Sequence, residues 1–308
     1  MQMLKYVGKR LLMLIPVVIG ITLFIFIIMS VAPGDPAQLI LGGDASVEAV
    51  AALRQEMGLN DPILVQYVRY MWNVMQGDFG ISWFHGYDVM SEFMSRVPPT
   101  FALGFYALLI TTFIGTPFGI WAAVRQNSAF DYTTLVYAML FTSIPTFWFG
   151  LMAQVLFSLH LGWFPATGAD SLRHFFLPAI TLAATSVGAQ LRLTRTSILD
   201  VIKMDYVRTA RAKGASERRI IYGHVLRNGM LPVANSIGGN VAGIVSGAIV
   251  TESVFAMPGV ATLLINAVRM RDVPVVMGII VIIAIFVGVV NLLVDLTFAA
   301  IDPRVKFG

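Results

Sequence analysis

Between Met230 and Val250 seven small or polar residues, Asn235, Ser236, Gly239, Asn240, Gly243, Ser246 and Gly247, recur among aliphatic ones. At about 100° per residue all seven fall inside one arc of about 140°, and only Gly238 breaks the sorting. Hydroxyl and carboxamide groups gathered on one side of a helix can hydrogen-bond water or a polar solute, so this face suits the wall of an aqueous route. Asn240 and Ser246 are the candidate pathway side chains. The spacing Gly239-xxx-Gly243-xxx-Gly247 equally suits two helix backbones pressed together. At a central interface both readings hold.

A second stretch, residues 192–228, carries both charge signs at high density, with nine Lys and Arg. Within it Asp205-Tyr206-Val207-Arg208-Thr209-Ala210-Arg211-Ala212-Lys213-Gly214 reads as a short surface helix ended by a glycine at the position that favours left-handed backbone. Nine bases beside a membrane suit anionic lipid. A helix, a glycine turn and a second helix suit a protein partner.

Bond-making chemistry lacks its residues. The chain has no cysteine, and His85, His160, His174 and His224 never fall at i, i+4, so a zinc site is not expected. There is no Gly-x-x-x-x-Gly-Lys-Ser/Thr loop to cradle a nucleotide, and no nucleophile-base-acid set in a recognisable context. Asp295, one turn after Asn291, is the one clear acid of the apolar segments. Ion-coupled carriers keep several charges at mid-membrane depth, which argues against a self-sufficient carrier.

The elements that hold these residues follow from composition. Of 308 residues 57% are hydrophobic and 12% charged, and the mean hydropathy is +0.78. A soluble domain carries about 25% charged residues, so a soluble enzyme, a nucleic-acid module and a disordered chain are set aside. The expected class is an all-α integral membrane protein. Six apolar runs are long enough to span: Leu11–Val31, Phe101–Val124, Thr133–Leu156, Phe175–Leu193, Met230–Val250 and Val275–Ile301. The first is too long for a cleaved signal and reads as a retained anchor. With both termini in the cytoplasm, 15 of the 21 Lys and Arg lie on the inner side, which the positive-inside rule selects.

The 33–99 segment is then external and reads as a small helical cap. Ser46 is expected to cap a short helix through Met57, stopped by Gly58. Asp61 and Pro62 are expected at the N-cap and first position of a longer helix carrying Leu64, Val68, Met71 and Met75 and ended by Gly77. The cap covers the spans or offers a docking surface. The organisation is thus 1–32, a tail and first span; 33–99, the external loop; and 100–308, five spans with a cytoplasmic loop over 195–228.

Arg208-Thr209-Ala210-Arg211-Ala212-Lys213-Gly214, followed by His224-Val225-Leu226-Arg227-Asn228-Gly229-Met230-Leu231-Pro232, resembles the coupling loop of ATP-binding-cassette (ABC) importer permeases. Arg208-Thr209-Ala210 stands where that family more generally has Glu-Ala-Ala, and Leu231-Pro232 follows the glycine at a longer distance than in maltose-type permeases. Both features look like the dipeptide/oligopeptide/nickel branch. So do Ala32-Pro33-Gly34-Asp35-Pro36, Gly58-Leu59-Asn60-Asp61-Pro62, Gly77-Asp78-Phe79-Gly80, Arg192-Leu193-Thr194-Arg195, Arg271-Asp272-Val273-Pro274 and Asp302-Pro303-Arg304, in that order over nearly the whole chain.

The resemblance implies a six-helix type I importer permease fold in a bacterial plasma (inner) membrane. It implies a second related permease, two cytoplasmic ATPase subunits that hold ATP and Mg, and an external substrate-binding protein, with no cofactor on this chain and no nucleic-acid partner. Arg208, Thr209, Ala210, Lys213 and Gly214 would meet the ATPase. Di- and oligopeptides are the implied cargo, with nickel complexes, glutathione and short glycosides carried by similar permeases.

Overall fold

The computed structural model describes the backbone of residues 2–301, and side-chain surroundings for these apart from 2–5, 241–247 and 298–301. Its helices are α1 (Gln2–Val31), α2 (Pro36–Leu41), α3 (Val47–Glu56), α4 (Ile63–Met75), α5 (Val89–Ile110), α6 (Thr116–Val124), α7 (Ala129–Ser143), α8 (Thr146–Ala153), α9 (Leu172–Ile202), α10 (Asp205–Ala212), α11 (Glu217–Ile220), α12 (Leu226–Val254), α13 (Val260–Met270) and α14 (Val273–Ile301). Wider π-helical turns at Thr111–Gly115, Gln154–His160 and Ile221–Val225 join neighbours or end them. Among the described residues the only extended pairing is one bridge between Ile81 and Asp88.

Among the described residues four helices are long and apolar enough to cross a membrane: Tyr6–Val31, Val89–Val124, Leu172–Ile202 and Val273–Thr297. The third expected span is not straight. Ala129–Ser143 and Thr146–His160 meet at 97°, because Pro145 removes a backbone donor and drives Ile144 to extended backbone (ψ 127). The fifth expected span lies within α12, whose 29 residues reach about 43 Å. The fourth runs on from Leu193 to Ile202, so part of the loop read from 192 is helix.

The chain forms two compact units. The first comprises residues up to Pro98 and Gly259–Leu293. Its core gathers Met29, Phe79, Val89, Phe93, Val260, Val275, Val276 and Ile279. The turn between α13 and α14 binds it together. Arg271, in left-handed backbone (φ 59), donates to the carbonyls of Ala32 at 2.7 Å and Gly34 at 3.0 Å. Buried Asp272 accepts from the Ser82 hydroxyl at 2.5 Å and the Trp83 N–H at 3.2 Å.

Within the external segment, Ser46 caps α3 through the Ala49 N–H at 3.2 Å, and Gly58 and Gly77 take positive φ where turns were expected. The Asp61 cap is a correction. Pro62 itself occupies the N-cap position of α4, and the Asp61 carboxylate is drawn to Arg69 at 2.5 Å. The Asp-cap and proline arrangement occurs instead at Asp35 and Pro36, where Asp35 accepts from the Ala37 N–H at 3.0 Å and starts α2.

The second unit, Pro99–Pro258 with the described residues after Val294, is built around α9, on which α6, α7, α8 and α12 pack. Glycines allow the approach. A Cβ at Gly119 would lie 2.7 Å from the Leu191 carbonyl, and one at Gly188 2.8 Å from that of Ala138. Asp131, fully buried at the start of α7, accepts from Arg195 Nε at 2.5 Å and Nη2 at 2.7 Å, and from the Asn127 N–H at 3.0 Å. At the other end of the unit, buried Glu252 accepts from the Thr100 hydroxyl at 2.6 Å.

Candidate functional site: the 205–228 surface

The 205–228 segment is a small built structure. α10 opens with Asp205 and closes with Arg211, charges that match the helix dipole. Its end is a Schellman turn: the Ala215 N–H reaches the Ala210 carbonyl at 3.2 Å and the Gly214 N–H the Arg211 carbonyl at 3.0 Å. The turn needs left-handed backbone at Gly214, which has φ +79. A beginning helix follows at once, with Ser216 accepting from the Arg219 N–H at 3.4 Å.

Two faces result. Val207, Ile220 and Val225 are buried with Ile198, Leu199 and Ala123, and Ala210 packs against them. Arg208, Thr209, Lys213 and Gly214 are exposed, as are Tyr206 and Tyr222. Arg211 grips Glu217 by Nε at 2.6 Å and Nη2 at 3.1 Å. That guanidinium holds the Glu217 carboxyl below its ordinary range and is itself raised by it. The turn is therefore pinned while its upper surface stays open: a Cβ on Gly214 would meet nothing within 4 Å.

Both flanks of the segment are tied to one another. The Ser197 hydroxyl donates to the Gly229 carbonyl at 2.7 Å, and Gly229 sits so close that a Cβ there would lie 2.6 Å from Ile198. The segment is thus anchored to α9 and α12 together. Of the five sequence-derived contact residues, four are on the open face and Ala210 supports it from beneath.

The small-residue face of α12 divides. The Ser236 hydroxyl donates to Gln190 Oε1 at 2.9 Å, and buried Gln190 reaches Thr116 at 3.4 Å, so this edge is turned into the chain's own helices. Asn235 and Gly239 are exposed and Asn240 is half-buried. A Cβ on Gly239 would meet nothing within 4 Å, whereas close helix contacts occur at other glycines, Gly119, Gly188 and Gly229 among them. Ser246, Gly243 and Gly247 lie outside the described side chains.

Residues 115–307 match the model of the binding-protein-dependent transport system inner membrane component, and residues 3–104 that of its N-terminal region. The chain belongs to this family. The glutathione transport system permease GsiC of Salmonella paratyphi A is 40% identical over 305 residues, covering 99% of this chain and 100% of that protein. The dipeptide transport system permease DppB of Alkalihalophilus pseudofirmus is 39% identical over 334 residues, with the same coverage. Among solved structures the MetNI methionine ABC transporter, in inward-facing conformations, matches at a TM-score of 0.57 and 17% identity over 69% of this chain and 97% of that one. That likeness shows the fold.

As a member of the family, the chain is a multi-pass transport component of an inner membrane and not an enzyme. Sequence reasoning missed the long-range partners of its charged motifs. Arg195, one of the nine bases of the 192–228 stretch, neutralises Asp131, and Arg192 reaches the Thr142 hydroxyl at 3.2 Å. The Arg192-x-x-Arg195 spacing on a helix was the available signal, since it places both guanidinia on one face.

Proposed function

We propose that this chain is the membrane-spanning permease subunit of an ABC importer that passes di- and oligopeptides inward, paired with a second, related permease. Two cytoplasmic ATPases hold ATP and Mg and press on Arg208, Thr209, Lys213 and Gly214, while an external binding protein delivers the cargo. Both termini are cytoplasmic. Asn240 and Ser246 face the route between the permeases, and the Gly239, Gly243 and Gly247 stripe meets the second permease.

The observation that carries this reading is the pinned turn with an open face at 205–214. A loop that merely joined two spans would need neither the Schellman closure nor the buried Val207-Ile220-Val225 floor. A rigid, exposed knob tied to two long helices is what transmits a push. Exchange between inward- and outward-facing arrangements then follows ATPase closure as a population shift.

The permeases similar in sequence include one named for glutathione, so glutathione is the second reading of the cargo. Uptake in a strain lacking the chain, with and without its restoration, decides between them. A labelled dipeptide is offered alone and then against tetrapeptide, glutathione and nickel. Restored uptake suppressed by peptides supports the peptide reading. No restored peptide uptake, with glutathione or nickel entry rescued, keeps the importer and discards its peptide cargo.

A further inference from the structure

The external segment holds a helix at an unexpected depth. Tyr67, the buried residue of α4, shares a hydrogen bond of 2.9 Å with the hydroxyl of Thr22 in α1 and donates to the Ile19 carbonyl at 3.2 Å. Its ring stands edge-on to Phe26 at 5.6 Å, and Tyr67, Phe26 and Met277 form one buried cluster. Lys5, Lys9 and Arg10 set the inner end of the first apolar run at Leu11. Counting 1.5 Å per residue, Thr22 lies about 16 Å above that end and about 13 Å below Val31, near the middle of a hydrocarbon layer of about 30 Å.

The faces of α4 fit that depth. With Tyr67 as origin and about 100° per residue, Tyr70, Met71 and Val74 lie within about 60° of it and pack inward. Leu64, Met75, Val68 and Trp72 fall between about 60° and 140°, and they are 64%, 69%, 63% and 61% exposed. Gln66, Arg69 and Asn73 fall between about 200° and 260°, and they line a cavity of about 350 Å³ with Asp35, Arg54 and Asp61. The helix thus has an inward sector, a bare aliphatic sector beside it and a polar sector on the far side. Along α1, Ile15, Ile19, Ile27 and Ile28 are also exposed.

We propose that α4 is sunk into the outer leaflet and that Leu64, Val68, Trp72 and Met75 contact lipid acyl chains, with the Gln66-Arg69-Asn73 sector turned toward water. Water at this aliphatic face would be a standing cost, and a binding protein could not reach a helix bonded to mid-span α1. An exposed aliphatic sector opposite a polar one is the pattern of a helix lying in a membrane interface. The inference rests on the proposed orientation, with α1 spanning the bilayer and its basic end inside, and is independent of the cargo.

The chain has no cysteine, so a thiol placed on it reports alone against the unmodified complex. Val68→Cys and Leu64→Cys are compared with Val47→Cys, whose site on α3 is 81% exposed, in the assembled transporter in phosphatidylcholine vesicles. A membrane-impermeant maleimide should label V47C at least about tenfold faster than V68C or L64C. Bimane placed on V68C should be quenched when dibrominated phosphatidylcholine replaces the ordinary lipid. Labelling of V68C and L64C as fast as V47C would overturn the proposal in favour of an aqueous surface. Slow labelling without bromolipid quenching would overturn it in favour of a protein contact. Both readouts need no transport, so a failed cargo assignment leaves them unaffected.

Discussion

Removing the carboxylate of Asp131 should unlatch α7 from α9 in the second unit. Asp131 is fully buried and takes two hydrogen bonds from Arg195, whose own side chain is 18% exposed. Asp131→Ala leaves that guanidinium buried and unpaired, a loss of about 3–5 kcal/mol, whereas Asp131→Asn keeps an acceptor for the Asn127 N–H and loses less. By comparison the exposed Asp61–Arg69 pair, with side chains 41% and 54% accessible, contributes about 0.2–1 kcal/mol. Heating the purified complex and counting the monodisperse fraction by gel filtration should give a midpoint roughly 6–10 °C lower for D131A. D61A should stay near wild type, and D131A combined with Arg195→Ala should lose less than the two singles added. A D131A midpoint equal to that of D61A, or strict additivity in the double variant, would refute the claim that the pair latches α7 to α9.

Gly119→Val drives a side chain into Thr194 and the Leu191 carbonyl and should cost about 1–3 kcal/mol or more, read as lost folded yield; Gly239→Val, which meets nothing in its own chain, should fold and expose any defect only when the second permease is present. Tyr67→Phe removes both bonds to α1 and should lower the thermal midpoint by an amount matching about 1 kcal/mol, with Tyr67→Ala much worse. The Glu217 carboxyl lies below its ordinary value, so the grip of Arg211 is intact above the ordinary carboxylate range and is lost as pH falls through the depressed value. Proton exchange at neutral pH should therefore leave ATP-driven uptake untouched by this pair, and Glu217→Gln at pH 7 should reproduce the acid behaviour of the native turn.

Local chemistry was legible and distant pairing was not. Four of the six expected spans, the α3 cap at Ser46, the glycine stops at Gly58 and Gly77 and the helix-turn-helix at 205–220 all follow from neighbours a few residues apart, where capping and periodicity act. The 97° break at Pro145 carried a signal in its proline, but an unbroken apolar run outweighed it. α13 is too short to stand out as a span. Asp131 with Arg195, Asp272 with Ser82 and Glu252 with Thr100 join residues 64, 190 and 152 positions apart, and no spacing rule connects those. The glycines fared similarly: Gly239, part of a regular repeat, faces open space within its own chain, while Gly119, Gly188 and Gly229, which no repeat marks, sit where helices of this chain meet.

The central claim is that the 205–214 knob transmits ATPase work to this chain. Gly214→Trp places a bulky group on the open face of the turn, where the chain itself offers room but φ +79 disfavours a side chain, and Gly214→Asn serves as a control that tolerates that backbone. In vesicles holding the full transporter, the account predicts that G214W assembles normally and loses ATP-driven dipeptide uptake, while G214N retains most of it. Unchanged uptake in G214W, with the complex intact, would contradict the claim.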